Sequence, residues 1–392
     1  MKAMILAAGQ GTRVRPITYD IPKPMIPLVR KPIMEYIVEH LTSHGVDQIV
    51  INVSHLPGAI ERYFRDGDRW GCQIAYSYEG RIIDGKFVGA ALGSAGGLKK
   101  VQDFSGFFND TFLVTCGDAL MDFDLGKVLE FHRSRGALAT IVLKDVPRAE
   151  VHRYGVVATD ASGRILQFQE KPNPEDAVST TINSGIYMFE PAVFKYIPSG
   201  VEYDIGGQLF PALAAAGAPF YGLSLPFQWV DIGSIPDYWA ATRLVLSGQV
   251  EGVSLPGREI APGVRAGINL RLDLKTVAIT PPVYLGSGTF IGDGARLEGP
   301  TVIGANCVIE GGAVLRQCLI DDHIRIGDIA NISEKMIFGG NYIDPSGHYL
   351  DLRDADMEWL VSDARTEITM SETHLLLRDL ARAVEPGTGG PD

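Results

Sequence analysis

The chain has 392 residues, too many for one ordinary hydrophobic core, so two domains are expected. A composition of 46% hydrophobic and 21% charged residues is that of a globular protein and excludes a disordered or membrane-embedded chain. The net charge of -12 is spread along the sequence, which argues against nucleic acid or an anionic membrane as a partner and requires any phosphate site to be locally basic.

The first element is a buried strand over residues 3–8, ended by Gly9 and too short for a signal segment or a membrane span. After the loop that follows, Pro32 suits a first helical residue, and Ile33, Ile37 and Leu41 line one helix face until Gly45 stops it. Strands are expected at 47–53, 73–79, 111–116 and 138–144, with Asp124 as the N-cap of a helix ending at Gly136. Strand and helix alternate to about Leu246, the pattern of an α/β domain with a largely parallel sheet.

From Leu285 the period changes. Leu285, Ile291, Leu297, Ile303, Ile309 and Leu315 recur every six residues, with Thr289, Ala295, Thr301, Cys307 and Ala313 in phase. Such hexads read as a parallel β-helix of about two to three coils, each short strand turning its aliphatic residue inward. The expected division is a domain over 1–247, a linker over 248–262, a β-helix over 263–350 and a C-terminal helical segment over 351–384. That segment includes a helix near 354–364, and 385–392 form a disordered tail. Four scattered cysteines, Cys72, Cys116, Cys307 and Cys318, lack metal-type spacing and suit a reducing cytoplasm. The eight histidines show no ligand spacing either.

Residues 6–24 read LAAGQGTRVRPITYDIPKP. A strand ending in Gly9-Gln10-Gly11 makes a turn whose amides can cradle a phosphate. Val14 stands where a dinucleotide loop needs its third glycine, and the GKS or GKT ending of a Walker loop is absent. Arg13, Arg15 and Lys23 supply the local cations.

The string GxGTRxRP followed by PKP resembles the signature of the nucleotide-sugar pyrophosphorylases, or sugar-1-phosphate nucleotidyltransferases. The likeness extends over nearly the whole chain. It implies a Rossmann-like, GT-A-like α/β nucleotidyltransferase domain followed by a short left-handed parallel β-helix of hexapeptide repeats. It also implies a reaction between a nucleoside triphosphate and a hexose-1-phosphate that releases pyrophosphate. On this resemblance Arg13 and Lys23 are catalytic, while Leu6, Ala8, Gly9, Gly11 and Thr12 bind nucleotide. ALGSAGGL adds Gly93, Ser94, Ala95 and Gly96, whose small size leaves room for a base.

TFLVTCGD ends an apolar strand in Asp118, a position facing the ligand crevice of an open α/β sheet. Asp118 and Asp231, in QWVDIG, match the family's Mg²⁺ ligands, with Asp122 and Asp124 as nearby competitors. RYGVV, FQEKP and INSGIY place Gly155, Glu170, Lys171 and Asn183 at the sugar phosphate. Within the family the chain is most similar to cyanobacterial-type mannose-1-phosphate guanylyltransferases and UDP-glucose pyrophosphorylases. UTP with glucose-1-phosphate is the expected pair, and GTP with mannose-1-phosphate the alternative. Two further readings stay open: a catalytically silent regulatory subunit, and an acyltransferase β-helix with His323 as base. The β-helix is expected to serve a homo-oligomer or regulation.

Overall fold

The computed structural model describes residues 1–251, 253–367 and 371–383; the expected tail lies outside the described residues. Internal contacts group the chain into two compact units. The first comprises Met1–Gly11, Ile21–Ile26 and Pro32–Asp231, and the second Thr12–Asp20, Pro27–Lys31 and everything from Ile232 on.

In the first unit, β1 (Lys2–Ala7), β2 (Gln48–Val53) and β3 (Gln73–Tyr78) lie parallel with β4 (Phe112–Cys116). β5 (Ala119–Met121) leaves that sheet, and β6 (Ala139–Asp145), β7 (Gly155–Thr159), β8 (Ile165–Glu170), β9 (Thr181–Phe189) and β10 (Phe220–Ser224) extend it. The order is β8-β7-β9-β4-β1-β2-β3, with β6 beside β9 and β10 beside β6. β11 (Trp229–Asp231) pairs antiparallel with β5 in a separate two-stranded ribbon.

Helices cover both faces: α1 (Ile33–Ser43), α2 (Pro57–Phe64), α3 (Gly93–Ser105), α4 (Leu125–Ser134) and α5 (Phe210–Ala215). Ile37 and Leu41 of α1, Phe64 of α2 and Val128 of α4 pack with Ala3, Ile5 and Ala7 of β1. Leu98 of α3 and Phe210 of α5 pack with Met4 on the other side. β1 is therefore apolar on both faces, as a strand inside a doubly covered parallel sheet must be. Asp124 caps α4 by accepting from Lys127 N at 3.1 Å, as its position before the apolar run predicts. The chain leaves β1 toward β2 on one side and returns to β4 on the other. Their adjacent C-terminal ends thus form a switch point, where open α/β sheets bind ligands.

The second unit begins its solenoid with parallel rungs at Val264–Ala266, Val283–Leu285, Thr301–Ile303, Leu319–Ile320 and Met336–Phe338. Ala278–Thr280, Arg296–Glu298, Val314–Arg316 and Asn331–Ser333 stack on a second face. Phe290–Ile291, Val308–Ile309 and Ile324–Ile326 stack on a third. Leu285, Ile291, Leu297, Ile303, Ile309 and Leu315 are all 0–1% exposed, so the hexad reading holds residue by residue.

Three expectations change. The solenoid is longer than two to three coils, because outside the regular hexads the step departs from eighteen residues: Val264 stands under Val283, and Val302 under Leu319. Part of the expected linker is a strand, Arg258–Ala261, paired antiparallel with Val264–Ala266. No helix covers 354–364; turns lead into Val361–Asp363, which pairs antiparallel with Ile324–Ile326, and the helix comes later as α7 (Glu372–Ala383). The apolar residues there close the core, with Leu352 and Val361 buried, and so carry no helical stripe. Contacts also place α6 (Ile235–Leu246) in the second unit rather than with the α/β sheet, where Tyr238 meets Phe338 with ring centroids 6.0 Å apart. Residues 27–31 belong to the same unit: Arg30 makes a two-pronged pair with Asp322, with Nη2 to Oδ2 at 2.9 Å.

Candidate active site

At the switch point, Gly117 N donates to Leu6 O at 3.0 Å, locking the ends of β4 and β1 side by side. Ala8 is buried as the chain leaves the strand, whereas Gly9 and Gln10 are exposed. A Cβ added at Gly9 meets nothing within 4 Å, so the missing side chain leaves open space beside the loop amides. Gly11 has φ 63°, a left-handed conformation that favours glycine. Thr12 and Arg13 follow in a 3-10 turn, Thr12–Val14; both are exposed and group with the second unit.

Within the first unit, Lys23 is only 9% exposed, and its Nζ pairs with Asp118 Oδ2. A lysine this buried needs a partner, and Asp118, just beyond β4, supplies it. Asp231 ends β11, and its register partner is Ala119, next to Asp118. Arg153 Nη2 stands 3.9 Å from Asp231 Oδ2. Burial, then the charges of Asp118 and Asp231, push the Cys116 thiol far above its ordinary range, which suits an inert strand residue. Among the described residues no group of three or more His, Cys, Asp or Glu is placed to hold a metal. The donor set is two carboxylates, Asp118 just before β5 and Asp231 at the end of its partner β11, which fits an ion that keeps water and substrate phosphate oxygens as its other ligands.

Of the residues expected at the nucleotide, Gly93, Ser94, Ala95 and Gly96 form the first turn of α3. The space at two of them is taken by protein: a Cβ at Gly93 would lie 2.6 Å from Tyr203 O, and one at Gly96 would lie 2.8 Å from Val201 O. Their small size therefore admits residues 201–204, whereas the sequence suggests room for a base. Behind them, Ala7 N donates to Asn52 Oδ1, Asn52 Nδ2 to Glu79 Oε1, and Leu92 N to Glu79 Oε2, each at 2.8 Å. This chain ties the end of β1 to the start of α3. Glu79 is 1% exposed, and burial raises its pKa.

Of the residues expected at the sugar phosphate, Gly155 and Glu170 are register partners in β7 and β8. A Cβ at Gly155 would lie 2.5 Å from the Phe168 ring and 3.2 Å from Glu170 Oε2. Lys171 Nζ meets Glu170 Oε1 at 2.9 Å in a well-solvated pair, the geometry of an ordinary surface contact. Lys171 has φ 47°, uncommon for a residue with a side chain, and its N–H donates to Tyr154 O at 3.1 Å. Asn183 is oriented on both sides, accepting from Gly185 N at 2.9 Å and donating to Tyr187 OH at 3.0 Å.

Arg153, Glu79, Asn52 and Asp204 were not singled out by sequence. Only Arg153 carried a signal, standing two residues before Gly155 in the sugar-side motif. A cavity of about 580 Å³ in the second unit is lined by residues such as His323, Trp359 and His374, and none of the residues expected to bind nucleotide, sugar phosphate or metal lines it.

Residues 2–248 match the family model described as nucleotidyl transferase, and residues 282–317 match that of the bacterial transferase hexapeptide, in six repeats. The stacked rungs are thereby a left-handed parallel β-helix. The chain is 53% identical to a UTP–glucose-1-phosphate uridylyltransferase of Synechocystis sp., over 98% of this chain and 100% of the relative. It is 33% identical to a mannose-1-phosphate guanylyltransferase of Mycobacterium tuberculosis, over 81% of this chain and 82% of the relative. Among solved structures, a UDP-glucose pyrophosphorylase complexed with UDP-glucose aligns with a TM-score of 0.53 and 23% identity, covering 63% of this chain and 98% of that one. That likeness speaks to the fold.

Proposed function

The chain belongs to the nucleotidyl transferase family and is a sugar-1-phosphate nucleotidyltransferase, and from that premise we propose that it makes UDP-glucose and pyrophosphate from UTP and glucose-1-phosphate. The observation that carries the choice of substrates is the 53% identity to a UTP–glucose-1-phosphate uridylyltransferase over 98% of the chain.

In this reading a phosphate oxygen of glucose-1-phosphate attacks the α-phosphorus of UTP, and pyrophosphate leaves in line. The nucleophile is already an anion, so the protein's work is to align two polyanions and offset charge on the leaving group. The glycine turn of residues 9–11, with open space at Gly9, is the element to bind phosphate. Lys23, bound to Asp118 in this structure, offers a compact charge to the reacting phosphates. Arg13 follows the loop directly in sequence, and its role as partner of the pyrophosphate rests on that placement. Asp118 and Asp231 are the residues to hold Mg²⁺, which supplies charge neutralisation across the reacting phosphates when bound. Glu170 and Asn183 take sugar hydroxyls, and Lys171 the sugar phosphate.

We further propose a cytoplasmic homo-oligomer. Free cysteines at Cys72, Cys116, Cys307 and Cys318 support the compartment. On α7 the exposed side chains of Leu376 at 60% and Leu380 at 53% support association. Among the described residues no helix is long and apolar enough to cross a membrane.

The test is pyrophosphate release across four nucleoside triphosphates and the 1-phosphates of glucose, mannose and galactose, with Mg²⁺. UTP with glucose-1-phosphate is expected to dominate. A preference for GTP with mannose-1-phosphate would replace the substrates, and silence across the matrix would favour a regulatory subunit. Light scattering at micromolar protein checks the oligomer.

A further inference from the structure

The first turn of α3 would ordinarily present free amides to an anion. Here Ala95 N and Gly96 N both donate to Tyr203 O, at 2.9 and 2.8 Å, and Tyr203 N donates back to Leu92 O at 2.9 Å. Gly93, with φ +73°, lets the Tyr203 backbone come this close. Residues 201–207 therefore lie across the helix start as a strap.

The next residue closes the strap on both sides. Ser94 Oγ donates to Asp204 Oδ2 at 2.7 Å and accepts from Ile205 N at 2.7 Å. The other carboxylate oxygen, Asp204 Oδ1, accepts from Gly207 N at 2.7 Å and caps the helical turn Ile205–Leu209 that runs into α5. Gly206 in turn lies against the sugar side, where a Cβ would stand 3.1 Å from Glu170 Oε2. One carboxylate thus joins the turn carrying Ser94 to the turn that backs Glu170.

We propose that Asp204 is a positioning residue that couples the nucleotide and sugar-phosphate sites, holding α3 and the wall behind Glu170 in one frame so that each substrate is bound in register with the other. The proposal rests on the functional reading above for Glu170 and on the family resemblance of residues 91–98 for the nucleotide side of α3. Its physical basis is that in-line displacement tolerates little misplacement: about 1 Å between reactants costs on the order of a hundredfold in rate. A charge-assisted hydrogen bond from Ser94 is stiffer than a neutral one and suits this role.

The test compares full-length wild type with Ser94→Ala, Asp204→Ser and the double variant. Serine at 204 keeps an N-cap for Gly207 but lacks the second oxygen and the reach to Ser94. Steady-state pyrophosphate release yields kcat and both KM values, and thermal melting reports the fold. Ser94→Ala, on the nucleotide side, is expected to raise the KM for glucose-1-phosphate about fivefold. Asp204→Ser should raise both KM values and lower kcat by about tenfold, and the double variant should add less than the full Ser94→Ala effect, because the Ser94–Asp204 bond is lost in both changes and only the bond from Ile205 N to Ser94 is lost in addition. A Ser94→Ala variant that moves only the nucleotide KM, or losses that multiply in the double variant, would overturn the coupling. If wild type uses another substrate pair, that outcome corrects the function and the same measurements are made with that pair. If it turns over none, calorimetric titration of UTP with and without glucose-1-phosphate measures the coupling directly.

Discussion

Replacing Lys23 by methionine keeps the aliphatic stem and removes the charge, and the geometry allows its two costs to be separated. The Lys23 side chain is 11% exposed and that of Asp118 is 26% exposed. Stripping the partner from a fully buried ion pair costs roughly 3–5 kcal/mol, whereas an exposed pair is worth about 1 kcal/mol or less. The quarter exposure of Asp118 places this pair between them, at about 1–3 kcal/mol of stability, or a few degrees of melting temperature. Catalysis loses more. A donor aimed at charge that develops in the transition state is worth about 10²–10³ in kcat, so Lys23→Met should lower turnover at least a hundredfold while the protein stays folded at 25 °C. Lys23→Arg should recover little, because a planar guanidinium does not fit a slot that leaves lysine 9% exposed. The assay is steady-state pyrophosphate release alongside urea unfolding. Turnover within about threefold of wild type, or a loss accounted for by the unfolded fraction, would refute the catalytic role.

Three other outcomes are expected. Gly9→Ala should leave the melting temperature unchanged, since its Cβ meets nothing within 4 Å, yet raise the KM for the nucleotide by filling the phosphate space; an unchanged KM would remove phosphate from that position. Leu297→Ala removes a side chain that is 0% exposed and stacked between Ile279 and Leu315, so urea unfolding of the β-helix should show a loss of about 2–5 kcal/mol. In the second unit, burial and then repulsion from Asp322 raise the Asp321 pKa from 3.8 to about 6. The folded state thus holds this proton more tightly than the unfolded one; the cost is absent below about pH 4, grows through pH 6 and reaches roughly 3 kcal/mol above it. Asp321→Asn should accordingly raise the melting temperature at pH 8 and leave it unchanged at pH 4; equal shifts at both values would argue against a titrating group.

Some of this molecule is written locally. Residues 6–24 carry glycines and cations within one short stretch, and the hexads from Leu285 to Leu315 repeat a pattern whose meaning needs no distant partner. Local periodicity and turn chemistry therefore sufficed for the loop, the alternating strands and helices, and the solenoid type. They failed where a partner far along the chain supplies the reason. Leu352 and Val361 close a core instead of forming a helix, and the outer rungs depart from the eighteen-residue step that the hexads set.

The same limit applies to the site. Gly93 and Gly96 are visibly small, but only the folded chain brings Tyr203 and Val201 against them. Glu79 and Asp204 resemble any surface acid in sequence, and the structure buries the first among Asn52 and Leu92 and sets the second on Ser94. Sequence by itself thus determined the glycine turn, the cations beside it and the repeat, because those features are made by neighbours in the chain. The pairing of Lys23 with Asp118, the strap across α3 and the closing strand of the solenoid were decided by tertiary structure, since hydrogen bonds between residues remote in sequence exist only once the sheet order has brought them together.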